Sequence, residues 1–387
     1  MKIPARLLLA HVRRTWLRTL LTVGSVFIAI LLFGLLRSII VGMETTLAAT
    51  SQRRLVVQSA LSLFAHLPKR VEQELDAMES VKGQVRAITH WTWYGGVYVS
   101  EDPKHMWGRF GVDVPTLREV YGSEMDLEDE EWDAFISTRT GCVIGEDLVG
   151  REGLRIGSKV PITGNIFPGR LELEVVGIYR TRSRAFDQRT LFFHWDYMNE
   201  VSKAEGGRSD IVSTYTLLLE DPDAGARISG LIDAHYRNSD TRVRTLTERA
   251  FQAQFNSMWG DLPLYFGILG GVVIVACLMV TANTMFLNAR ERVREVGILK
   301  TLGFTPGTVA LATLIEGVVL CIAGGAIALA LVQLLDGRMI VFIIASVPPS
   351  THLEGLGITV ALGLLSGAFP AWMAHRLNIV DAIRRAA

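Results

Sequence analysis

The residue patterns that ordinarily carry catalysis are missing from this chain, and two polar features stand out in their place. There is no G-x-x-x-x-G-K-[ST] loop, so no recognisable cradle for nucleotide phosphates exists. G-x-S-x-G and H-E-x-x-H are absent too. The eight histidines are dispersed, and His90, His105 and His194 lack ligand spacing. The acidic run from Glu124 to Asp133 lacks the ordered spacing and turn glycine of a calcium loop, and reads as a solvated loop and helix start. Cys142, Cys277 and Cys321 offer no zinc spacing, and Cys142 stands alone in its segment without a disulfide partner. The first remaining feature is Glu316, inside a long apolar stretch, where an ionisable residue is a functional candidate by default. It lies about two to three turns beyond Pro306. That depth suits a structural or gating role, or a partner among the basic residues, better than proton relay.

The second feature is the charged run from Ala289 to Pro306. Val293, Val296, Leu299 and Leu302 recur every three residues with Ile298 beside them, the spacing of an amphipathic helix with a narrow apolar stripe. Arg290, Glu291, Arg292, Arg294, Glu295 and Lys300 fill the rest. Glu291 can reach Arg294 and Arg292 can reach Glu295, but Arg290 and Arg294 repel, as do Glu291 and Glu295, so charge pairing alone does not account for a helix. Gly303 is a natural stop, and Thr305 followed by Pro306 a natural restart. Gly297 sits mid-helix at a cost of about 1 kcal/mol relative to alanine, which close approach of a partner surface could offset.

These residues must be held by membrane helices. Residues 19–42, 262–288, 306–335 and 355–374 reach spanning length. Basic residues cluster before the first (Lys2, Arg6, Arg13, Arg14, Arg18), between the second and third, and after the fourth (Arg376, Arg384, Arg385). The positive-inside rule places both termini and the 289–305 segment in the cytoplasm. Residues 1–18 are then a cytoplasmic amphipathic segment, 336–354 an extracytoplasmic connection and 375–387 a cytoplasmic tail. The first apolar stretch exceeds the core of a cleaved signal peptide despite the small residues around Ala48, and reads as a retained span. Arg37, near its outer end, is expected to snorkel or to face a partner helix, with snorkelling the favoured role. Zero formal net charge gives no reason to expect nucleic acid.

Residues 43–261 read as a soluble extracytoplasmic α+β domain. Strand-like runs occur at 55–57, 85–100, 171–179, 211–219 and 243–246, and helical ones at 68–81, 115–121, 224–236 and 248–259. The order is two β–α–β halves flanking an insertion at about 116–192. Trp91, Trp93, Tyr94, Tyr98 and Trp107 form either a sheet's packed core or an apolar binding surface, with core the favoured reading.

Three stretches carry a resemblance. REVGILKTLGFTP (294–306) is similar to the cytoplasmic loop of the FtsX/MacB-type family of ABC transporter permeases. SGAFPAWMAHRLNIVDAIRRAA (366–387) resembles the family's C-terminus, though Asn378–Ile379 stands where relatives commonly carry Asp-Pro. CVIGEDLVGREGLRIGSKVPI with LELEVVGIY (142–179) resembles its periplasmic core domain. The resemblance implies four transmembrane helices and a large extracytoplasmic domain with porter-like halves and a separate β-rich insertion. It implies that 289–305 is a coupling helix docking on an ABC ATPase subunit through Arg290, Glu291, Arg294, Glu295, Gly297, Lys300 and Gly303. The chain would itself be non-catalytic and hold no cofactor, with ATP and Mg bound by the partner. A second permease copy or paralogue, membrane lipids, and a periplasmic adaptor or substrate protein are the other implied partners, in a bacterial plasma (inner) membrane. Work would be delivered to the extracytoplasmic side to export or extract a lipoprotein, lipid, peptide or drug. The alternative is a non-transporting signalling or scaffold protein that regulates an outer-face partner such as a cell-wall hydrolase. A membrane-anchored enzyme is disfavoured by the missing motifs.

Overall fold

The computed structural model describes residues 16–102, 105–182, 186–258, 260–340 and 343–377. The basic residues expected before the first span, apart from Arg18, and the tail beyond Leu377 lie outside the described residues. The chain divides into two compact units, one of residues 46–259 and one of residues 1–45 with 260–387.

In the first unit an eleven-stranded sheet is covered by helices on both faces. Arg54–Ser59 lies between Val243–Thr247 and Thr214–Leu219, antiparallel to both. Thr214–Leu219 pairs with Val85–Trp93, and that strand with Gly108–Val112. The β-rich insertion is present, but its strands do not form a sheet of their own. Thr190–His194 runs parallel to Gly108–Val112, and the ladder continues through Gly141–Gly145, Arg170–Thr181 and Lys159–Gly164. Glycine makes this junction tight, since a Cβ on Gly108 would come within 2.8 Å of Thr190 Oγ1.

Alternation sorts the core onto two faces, as the two-residue strand period requires. Leu191 and Phe193 join one cluster with Leu55, Val57 and Ile228, whereas Phe192 joins the other with Val120 and Phe135. Tyr94, Tyr98 and Trp107 are buried. Trp91 packs edge-on to Phe110, Tyr121 and Phe192. The core reading therefore holds for these four aromatics. Trp93, the last residue of its strand, stays 43% exposed.

The acidic run is less solvated than its composition implies. Helix Asp129–Ser137 opens with a capping box between Glu128 and Glu131. Glu124 turns inward to Arg54, whose Nη2 donates to Glu124 Oε1 at 2.6 Å and lies 2.9 Å from Glu248 Oε2. Glu248 also accepts the Ser51 amide at 2.9 Å. One buried guanidinium thus ties the beginning of this unit to the start of its last helix, Glu248–Ser257.

Among its described residues the second unit holds four helices long and apolar enough to cross a membrane: Trp16–Ala48, Leu262–Glu291, Pro306–Gln333 and Pro349–Arg376. The third and fourth approach closely because glycine lines their contact. A Cβ on Gly363 would sit 2.7 Å from Val318 Cα, and small residues of this kind let spanning helices pack backbone to backbone. The second span is the most exposed of the four, with 17% of its apolar window buried.

Of the two roles expected for Arg37, the structure shows the facing of a partner helix. Arg37 Nε and Nη2 donate to the two carboxylate oxygens of Glu354, at 2.9 and 3.0 Å. The fourth helix begins at Pro349, six residues earlier than the apolar stretch predicts, and this extra turn brings Glu354 into reach. A bidentate pair satisfies both charges more directly than solvent at the membrane surface would.

Candidate functional site

The helix of the second span runs to Glu291 and breaks at Arg292, whose backbone (φ −89°, ψ 4°) caps both that helix and the next, Val293–Thr301. The second helix ends as its turn chemistry predicts. Gly303 takes a φ of +93°, which glycine adopts without strain. Its amide donates to Lys300 O, and that of Phe304 to Leu299 O, the paired bonds of a Schellman stop. Thr305 then caps the third span, its hydroxyl accepting the Thr308 amide at 3.4 Å with Pro306 in the first turn. Gly303 therefore shapes the turn.

The faces of Val293–Thr301 differ from the expected stripe. Val293, Val296 and Leu299 are half-buried, but Ile298 and Leu302 point outward, 50% and 63% exposed. Arg290, Glu291 and Arg294 are exposed and Glu295 is half-buried. Arg294 and Ile298 lie one turn apart on this helix with Leu302 just past its end, so its outward face carries a cation and two aliphatics, and Arg290, exposed as well, lies on the preceding helix across the break.

Gly297 and Lys300, expected on the docking face, are instead buried within this chain. Lys300 Nζ donates to His375 O at 3.1 Å and to Leu377 O at 2.6 Å, the carbonyls at the end of the fourth span. The last carbonyls of a helix lack intrahelical partners and carry partial negative charge, so an ammonium there is favourable by about 0.3–1 kcal/mol. Burial pushes this ammonium below the usual lysine range. Gly297 offers no side chain on the face that turns inward one helical turn before it.

Glu316 is not a lone carboxylate. Arg292 Nη2 donates to its Oε1 at 2.7 Å, and Nη1 donates to Oε2. Both side chains are largely covered, at 20% and 15% exposed. The pair lines a cleft with Asn288, Val296, Pro370 and Met373. Helical spacing offers Arg292 to Glu295 three residues on, and the structure pairs it with Glu316 on the third span. The signal was there in outline: a carboxylate inside a span calls for a cation, and four basic residues stood nearby. No cluster of metal-binding side chains occurs among the described residues.

Residues 267–379 match the family described as FtsX-like permease C-terminal. The chain is 23% identical over 327 residues to an uncharacterized ABC transporter permease of Methanocaldococcus jannaschii, covering 81% of this chain and 79% of that one. It is 26% identical over 223 residues to the uncharacterized ABC transporter permease YknZ of Bacillus subtilis, covering 55% and 54%. With the macrolide export ATP-binding/permease protein MacB of Shewanella oneidensis it shares 24% identity over 260 residues, covering 65% of this chain but only 38% of that protein.

Proposed function

We propose, for a chain that belongs to the FtsX/MacB-type family of ABC transporter permeases, that it is the non-catalytic membrane subunit driven by a separate ABC ATPase. Membership implies an ATPase partner, and the absence of a phosphate-cradling loop in this chain supports ATP and Mg being bound there. The basic flanks support N- and C-termini in the cytoplasm of a plasma (inner) membrane and residues 46–259 outside it. Two permease copies, or this chain and a paralogue, pair in the membrane.

The observation that carries the reading is the exposure of Arg294, Ile298 and Leu302 on the outward side of helix Val293–Thr301 and its cap, with Arg290 exposed just before the break. Exposed aliphatics flanked by cations on a short helix at the cytoplasmic side form a surface that a protein partner can dry and pair. Docking there moves the spans when the ATPase pair closes, and the extracytoplasmic domain delivers the work. A lipoprotein, lipid, peptide or drug is the class of cargo such a device exports or extracts. The MacB relative is a macrolide export protein by name.

The test is co-purification of an ABC ATPase, co-expressed from the same genome, with the chain in nanodiscs. Ile298→Asp with Leu302→Asp should release the ATPase and leave the chain folded. An ATPase that stays bound to this double variant at wild-type stoichiometry overturns the docking face.

A further inference from the structure

Helix Val293–Thr301 is joined to its neighbouring spans through two non-helical points. One is the break at Arg292, the other the turn at Gly303. Backbone continuity across such points transmits position poorly, because each allows the helix to swivel. Both are braced by side chains. At the break, Arg292 is held by the two oxygens of Glu316 on the third span. At the other end, Lys300 reaches the terminal carbonyls of the fourth span, a helix to which this segment has no chain connection.

We propose that the Arg292–Glu316 pair and Lys300 are positioning residues that carry movement of helix Val293–Thr301 into the third and fourth spans together. The inference rests on the ATPase-docking reading above and deepens it. A push on Ile298 and Leu302 reaches the third span through the fork of hydrogen bonds at Glu316. It reaches the fourth through the ammonium. The two spans are themselves closely packed, Gly363 on the Val318 backbone and Gly325 on the Thr359 side chain, so they respond as one body. A two-oxygen fork has a fixed plane and resists rotation as well as separation. Lys300 can donate to both carbonyls at once because an ammonium has three donors. Its inward face leaves the docking face untouched, so docking and transmission are separable by mutation.

The experiment uses the full chain with its ATPase in nanodiscs and a spin label at Leu353→Cys, an exposed position in the first turns of the fourth helix. The native cysteines are all buried. In the parent protein, ATP with vanadate should change the mobility of the label. Lys300→Met keeps the length and removes the donors, and Glu316→Gln breaks the fork. Each should keep the ATPase bound and hydrolysing yet lose the nucleotide-dependent change at position 353. Lys300→Arg, which keeps donors, should restore it, as should the swap of Arg292→Glu with Glu316→Arg. A full nucleotide-dependent change in Lys300→Met or Glu316→Gln overturns the proposal. If either single variant fails to assemble, the charge swap decides: restored movement supports the brace and absent movement overturns it. If the parent chain binds no ATPase at all, the docking reading falls, and this inference with it.

Discussion

Arg292 and Glu316 meet through two side-chain hydrogen bonds across 24 residues of chain, joining the break after the second span to the third span. Each would be costly alone at this depth, and together they are neutral and satisfied. This is why Glu316 reads as a brace and not as a proton carrier. Removing one partner of a buried pair costs on the order of 3–5 kcal/mol, whereas replacing both with apolar side chains is often neutral. The side chains keep 20% and 15% exposure, so the single cost is reduced here, to about 1–3 kcal/mol. Arg292→Met and Glu316→Met should therefore each lower Tm in detergent, and the double variant should recover most of the loss. A double variant as unstable as the sum of the singles would sink this account.

Gly297 lies on the inward face of its helix. Gly297→Trp is therefore expected to disrupt the membrane unit itself, with a lower Tm and broadened gel-filtration profile even without any ATPase. Ile298→Trp, on the outward face, should leave the purified chain unchanged. The measurement is thermal stability of the chain alone, and equal behaviour of the two variants would contradict the assignment of faces.

Topology has a direct chemical test. With the native thiols buried, an impermeant maleimide applied to intact cells should label Glu205→Cys in the large domain and not Thr301→Cys. Both positions are exposed in the structure. Labelling of position 301 from outside would reverse the proposed orientation.

Residues 43–261 should fold when expressed alone, because one sheet with a core on each face closes within residues 46–259. Roughly 150 residues already bury about two-thirds of their chain surface. Arg54→Met should be severely destabilising in this fragment, since it leaves Glu124 and Glu248 facing each other without their cation. Chemical denaturation measures both. A soluble fragment with no cooperative transition would refute the first expectation, and a neutral Arg54→Met the second.

The acid limb of stability should depend on Glu72. Burial pushes its carboxyl up, but hydrogen bonds to His90 and Lys69 outweigh it and hold the group below its usual value of 4.5. A carboxyl depressed in the folded state stabilises above its unfolded pKa, and that contribution is lost as pH falls through the folded value. Glu72→Gln should thus lower stability at pH 7 and flatten its decline below pH 4.5, as read from unfolding midpoints across that range. A parallel decline in both proteins would disprove it.

Much of this protein was legible in its residues, for a local reason. An apolar run of some twenty residues has to cross a bilayer or be buried, and the four spans follow from that alone. The turn after residue 301 was equally readable, because Gly303, Thr305 and Pro306 each favour one backbone state without help from the rest of the chain. The aromatics Trp91, Tyr94, Tyr98 and Trp107 were legible as core, whereas alternation could not tell core from surface in a sheet that is covered on both faces. What only the tertiary structure decided was partnership at long range. Arg37 finds Glu354 across 317 residues, and Arg54 finds Glu124 and Glu248 across 70 and 194. The strands of the insertion join the main sheet through the parallel pairing of Gly108–Val112 with Thr190–His194. The face that helix Val293–Thr301 turns inward belongs to this class as well. Periodicity marks a stripe of Val293, Val296, Leu299 and Leu302, yet Gly297 and Lys300 are the residues buried. The end of the fourth span passes beneath that face, and its unpaired carbonyls draw the ammonium in. A helix period states which residues share a face; which face is covered depends on where the rest of the chain has gone.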